Sequence, residues 1–155
     1  MYQNYGQELK ARLVDLGLAD ANKMRGCSPQ EIDALRQYST GGQLPTVYVQ
    51  FLSTMGHDTG GKFIWDMDYK YEYLGEKQED AKEIATSDGI TLPKDAFFFM
   101  SQEGTHFYFL HTSQRDDNPP IYKFTEGESS FEQVGSSLVD FFEALALVYA
   151  SYETD

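Results

Sequence analysis

Residues 96–100 read Ala-Phe-Phe-Phe-Met and residues 106–111 read His-Phe-Tyr-Phe-Leu-His, joined through Gln102-Glu103-Gly104. Ile121-Tyr122-Lys123-Phe124 follows after Asp116-Asp117-Asn118-Pro119-Pro120. The three apolar runs are dense in the aromatic residues that fit a pleated, half-buried surface. The links between them carry turn chemistry, with Gly, Asp, Asn and Pro at the break points. A parallel crossover needs about a dozen residues or more. These shorter links therefore predict an antiparallel hairpin extended by a further strand.

Working outward, Ser137 caps a long helix running to Tyr152, with Asp140 near its positive end. Leu138, Phe141, Phe142, Leu145, Val148, Tyr149 and Tyr152 give that helix a wide apolar face. On the other side, residues 76–86 are polar and helix-forming, with Lys82 three residues after Glu79, and read as a solvated surface helix ended by Asp88-Gly89. Lys62-Phe63-Ile64-Trp65 has strand composition. Leu44-Pro45 opens a helix whose Tyr48, Phe51, Leu52 and Met55 share one stripe, with Gly56 at its end. Ser28-Pro29-Gln30-Glu31 is a capping box with proline in the first turn; Ile32 and Leu35 follow on the buried face, and Gly41-Gly42 stops the segment. Residues 5–18 form an amphipathic helix with Tyr5, Leu9, Leu13 and Leu16 on one stripe. Helices, then strands, then a helix predict an α+β domain: a mainly antiparallel sheet with helices packed on one face.

The 155 residues suit one domain, 1–155. A hydrophobic share of 41% and an aromatic share of 15% suffice for a core and exclude a disordered chain. One cysteine, Cys27, forms no internal disulfide, which fits a reducing compartment. It reads as a partly buried small apolar residue; the alternative is a thiol whose pKa is lowered by its place before a helix start. The opening Met1-Tyr2-Gln3-Asn4-Tyr5-Gly6 has no basic or apolar leader region. No run approaches the roughly 18 apolar residues of a membrane span. Together these features predict a cytoplasmic protein.

Net charge is −13 and uneven: −1 over residues 1–60, −5 over 61–112 and −7 over 113–155. A fold needs no such imbalance, so it concerns solubility and partners. Nucleic acid and anionic membranes are disfavoured by the same repulsion, and a basic protein partner is favoured. Solubility alone would account for the charge equally well.

Catalytic and metal motifs are missing. There is no Gly-x-Ser-x-Gly elbow, and His57-Asp58 lies in a loop with no nameable partners. One Cys and three scattered His show no metal-ligand spacing, and His106 and His111 fall on opposite faces of one strand. Asp66-x-Asp68 and Asp116-Asp117 lack a calcium-loop pattern. Gly60-Gly61 lacks the lysine-serine pair of a phosphate loop. No enzyme, metal or cofactor is predicted.

The ordered motifs resemble the SUKH superfamily, bacterial immunity proteins related to a fungal cell-wall assembly regulator. The resemblance starts at Ser28-Pro29-Gln30-Glu31-Ile32 and continues through Leu44-Pro45, Tyr48, Phe51-Leu52 and Gly56. It runs on through Leu92-Pro93-Lys94-Asp95, Phe107-Tyr108-Phe109, Asp117-Asn118-Pro119-Pro120 and Ser136-Ser137-Leu138-Val139-Asp140-Phe141-Phe142. Residues 1–27 form an N-terminal helical extension outside the pattern. The resemblance implies a non-catalytic α+β domain that binds and neutralises a cognate polymorphic or contact-dependent toxin, often a nuclease. The second reading is an intracellular scaffold or regulator on the same fold.

The family motifs are mostly apolar and turn residues, so they do not transfer as a binding site. The partner face falls instead to acids and aromatics outside them. Asp66, Asp68, Tyr69, Tyr71, Glu72 and Tyr73 form one candidate stretch, and Asp116, Asp117, Glu126 and Glu128 another. A solvated strand–loop surface is the competing account of the first. The apolar width of the last helix is compatible with a monomer or a homodimer.

Overall fold

A computed structural model describes residues 3–152; Met1, Tyr2 and residues 153–155, the two ends of the expected 1–155 domain, lie outside the described residues. The helices are α1 (Tyr5–Asp15), α2 (Pro29–Leu35), α3 (Thr46–Met55), α4 (Tyr71–Asp88) and α5 (Leu138–Ser151). The strands are β1 (Ala96–Gln102), β2 (His106–His111), β3 (Ile121–Thr125) and β4 (Glu132–Gly135). They form one antiparallel sheet in the order β1-β2-β3-β4.

Local chemistry sets the helix ends. The capping box of α2 is complete: Ser28 Oγ accepts from the Glu31 N–H at 3.1 Å, and the Glu31 carboxylate accepts from the Ser28 N–H at 2.8 Å. Pro45 caps α3 and offers no side-chain acceptor. The chain supplies one from afar, with the Asp117 carbonyl accepting from the Val47 N–H and its carboxylate from the Thr46 hydroxyl. Gly89, at φ 71°, ends α4 in the left-handed conformation glycine adopts without strain.

Alternation along the strands gives the sheet two apolar faces. Phe97, Phe99, Leu110 and Ile121 join the core built by α1, α2, α3 and α5. On that side Phe51 of α3 stacks on Phe142 of α5 with ring centroids 4.7 Å apart, and Phe63 and Phe99 meet Phe142 edge-on. Phe98, Phe107, Phe109 and Phe124 form a second cluster, closed by Ala81 and Ala85 of α4. A bulge between Phe98 and Met100 re-aims β1.

Two expectations from sequence need correction, and one strand lies where no element was expected. Residues 62–65 form a turn, not a strand: Phe63 and Ile64 are buried, Ile64 takes φ 47°, and Trp65 is 69% exposed. The segment is apolar because it plugs the core, and its backbone bonds to Leu18 instead of to a strand. Helix α4 is not a fully solvated helix, since Leu74, Lys77, Gln78, Ala81 and Ala85 are buried. Lys77 lies 3.3 Å from Asp68, and the Gln78 amide bonds the Phe98 N–H and carbonyl. The added strand is β4, which carries no local signal because Glu132-Gln133-Val134-Gly135 is short and partly exposed.

Ahead of β1, Asp95 gathers the Ser113 N–H and hydroxyl and sits 2.8 Å from His111 Nδ1. Partial burial pushes its carboxyl up, but the bonds from Ser113 and His111 outweigh that and hold it below its ordinary value. A depressed acid stabilises above its unfolded pKa, and the contribution is lost as pH falls through the folded pKa. Asp95→Asn is expected to cost about 1 kcal/mol near neutral pH, discounted for screening at half-exposed His111, and to converge on the wild type in strong acid. Urea denaturation of both proteins across that range checks it. Phe51→Ala and Phe142→Ala are each expected to cost about 3–5 kcal/mol through the cavity left in the stack, read from the same denaturation curves.

Candidate protein-binding face

Helix α4 starts where Gly56 ends α3, with the Tyr71 N–H donating to the Gly56 carbonyl at 2.9 Å. Its sheet-facing side is buried, so its charge is forced outward. Glu72, Glu76, Glu79 and Glu83 recur at helical spacing and all are exposed. At 1.5 Å rise per residue this acidic ridge is about 16 Å long. Lys82 approaches it only as a 3.8 Å exposed pair with Glu79.

Beside the ridge, a cleft of about 210 Å³ opens between α2 and α4, lined by Leu35, Tyr38, Tyr71, Glu72, Gly75 and Glu76. Gly75 makes this possible: a Cβ there would lie 2.6 Å from the Tyr38 hydroxyl. Tyr73 is 42% exposed and Tyr38 36%. Apolar rings with polar tips beside carboxylates suit a protein surface.

Glu72 and Tyr71 of the cleft also contact His57, whose Nε2 lies 2.9 and 3.0 Å from the two Glu31 oxygens and whose Nδ1 lies 3.5 Å from Glu72. The Tyr71 ring meets His57 edge-on at 5.3 Å. The hydrogen bond the imidazole donates to Glu31 raises its pKa, and the bonds from Ser28 and His57 lower that of Glu31. Cys27 is buried nearby; burial first, then the charges of Glu31 and Glu72, push its thiol up to about 12. The lowered thiol pKa considered from its place before α2 is therefore not found.

The candidate residues read from sequence separate into two sets. Tyr71, Glu72 and Tyr73 sit on the first turn of α4, at the ridge and cleft. Asp66, Asp68 and Tyr69 serve the fold: Asp66 accepts from the Tyr149 hydroxyl, and the Asp68 backbone pairs with Ser101. Tyr69 is 4% exposed, its hydroxyl accepting from the Thr59 N–H. Asp117 caps α3, and Asp116 accepts from the Asn118 N–H. Both line a separate cleft of about 280 Å³ with Arg36, Arg115 and Pro45. Glu126 and Glu128 are exposed on the turn after β3. Glu76, Glu79, Glu83 and Tyr38 were missed; the recurrence of glutamate every three or four residues marked the ridge, but nothing local tied Tyr38 to it.

No described helix is long and apolar enough to cross a membrane. Fold and surface together define an α+β domain with a strongly acidic exposed helix. The chain belongs to the SMI1 / KNR4 family (SUKH-1), whose profile matches residues 26–144. No curated protein matches it as a relative. Helix α1 precedes the match, and its Tyr5, Leu9 and Leu13 are part of the same core as α3.

Gly75→Ala provides a check on the cleft. The clash is with the far end of one half-exposed side chain, and alanine relieves the helix of glycine's entropy cost of about 0.5–1 kcal/mol. The variant is expected to stay within about 1 kcal/mol of wild type in urea denaturation, with Tyr38 displaced in a crystal structure.

Proposed function

We propose that this protein is an immunity protein that binds and neutralises a cognate bacterial toxin of basic surface, of the nuclease kind, in the cytoplasm. The whole chain acts as one domain and works by occupation of the toxin, without chemistry of its own. Membership of the SMI1 / KNR4 family supports the general reading. The observation that carries the finer one is the ridge of Glu72, Glu76, Glu79 and Glu83, exposed on a chain of net charge −13.

The physics of such a contact is specific. A nuclease binds a polyanion and therefore presents a cationic groove. A row of carboxylates on a rigid helix is complementary to that groove and can raise the association rate by roughly 10- to 1,000-fold at low salt. Affinity then comes from a few aromatic anchors at the centre of the contact. Tyr38, Tyr71 and Tyr73 flank the ridge in that role, while Asp116, Asp117, Glu126 and Glu128 extend the acidic field.

The test is capture of the toxin domain encoded beside the gene, coupled to rescue of toxin-arrested growth. Binding is expected to weaken steeply as salt rises from about 50 to 500 mM, since exposed charges are screened over a shorter distance. Glu76→Lys with Glu79→Lys should slow association at least tenfold while leaving the melting temperature near wild type. Salt-independent affinity, or full rescue by the double variant, would remove the ridge from the interface.

A further inference from the structure

Cys27 and Glu31 lie four residues apart around the start of α2, and the fold clamps His57, 26 residues beyond Glu31, against them. The Cys27 N–H donates to the Leu52 carbonyl at 2.8 Å, and the His57 N–H to the Arg25 carbonyl at 3.0 Å. Glu31 is held by its own capping box. Gly56 has no room for a Cβ, which would collide with Cys27 Sγ. The result is one sulfur, one imidazole nitrogen and one carboxylate oxygen within 4.8 Å of one another.

We propose that Cys27, Glu31 and His57 form a binding site for a zinc ion. The donor set is the mixed S, N and O set that zinc accepts. Bond lengths of about 2.0–2.3 Å at a tetrahedral angle place ligand atoms roughly 3.3–3.6 Å apart. The Cys27 sulfur, within 4.8 Å of the other two donors, therefore needs to close by about 1 Å at most, and the His57–Glu31 contact, at 2.9 and 3.0 Å, to open slightly to admit the ion. His57 is oriented for it. With Nε2 turned to Glu31, its Nδ1 faces Glu72 at 3.5 Å, the carboxylate–histidine arrangement that fixes the tautomer of a metal-bound imidazole. The cysteine is suited as well: it is 7% exposed, and its sulfur makes no hydrogen bond to another described residue. Glu31 and Glu72 place negative charge beside that sulfur, a field that favours a cation. Binding replaces the thiol proton with the metal and releases the proton to solvent. Three protein ligands leave the fourth position to water or to a group from a partner.

The site joins the segment before α2 to the end of α3 and the start of α4. Zinc bound there stabilises the native chain and rigidifies the cleft.

The experiment titrates the metal-free, reduced protein with zinc ion alone by calorimetry, and with cobalt ion as a spectroscopic substitute. The expected results are one equivalent bound, a raised melting temperature, and a thiolate-to-cobalt charge-transfer band. Cys27→Ser should abolish that band, and Glu72→Gln should weaken zinc binding about 10–100-fold. The cobalt spectrum of the wild-type protein decides the matter even if a variant folds poorly. No thiolate band, or zinc affinity unchanged in a folded Cys27→Ser variant, would overturn the site and assign any binding to surface carboxylates.

Discussion

The stack of Phe51 on Phe142 joins helices from distant parts of the chain, and most of the structure is arranged around it. Phe51 comes from α3 and Phe142 from α5, and the ring of Phe99 reaches the same point from the sheet. Phe63 arrives from the turn between α3 and α4, and its position forces that turn into the conformation seen at Ile64. Once these rings are together, α1 has a surface to cover and the turn has an anchor in the hydrogen bond between Asp66 and Tyr149. Packing at near-crystal density leaves such a junction little tolerance for altered shape.

The opposite face of the sheet follows a different rule. Phe98, Phe107, Phe109 and Phe124 are large, so the helix that covers them must be narrow on its inner side. Ala81 and Ala85 supply that narrowness. Because small residues serve the contact, α4 needs no large apolar stripe and can devote its outer surface to glutamate. The same packing that makes the helix look soluble in sequence thus presents the acidic ridge on a rigid support.

This explains which features were legible. The capping box at Ser28, the stripe from Tyr48 to Met55, the hairpin around Gly104 and the terminal helix all announce themselves within a few residues. The turn at 62–65 did not, since core-filling and strand-forming residues share a composition and only the tertiary position of Phe63 separates them. Lys77 and Gln78 read as solvent-exposed because their partners, Asp68 and the Phe98 backbone, lie elsewhere in the sequence. For the candidate face, charge and tyrosine content were visible at Tyr71, Glu72 and Tyr73. The roles of Asp66, Asp68, Tyr69 and Asp117 were not, because each is defined by a distant hydrogen-bond partner. Proximity of Cys27 to His57 likewise depends on the pairing of Arg25 with His57 and Asp58, which no spacing rule encodes.

The bonds from Gln78 to Phe98, and from Asp68 to Ser101, have a further meaning. Strand β1 is an outer strand, and an outer strand normally presents a row of unpaired amides and carbonyls to any extended chain that meets it. Here a side-chain amide and a single backbone bridge occupy the groups of Phe98 and Ser101 that would otherwise project outward. A foreign strand therefore finds no template along β1, and copies of this protein cannot zip together there when its concentration is high. A molecule that meets this edge is met by side chains and not by main-chain pairing, and side-chain chemistry discriminates between partners as an open sheet edge does not.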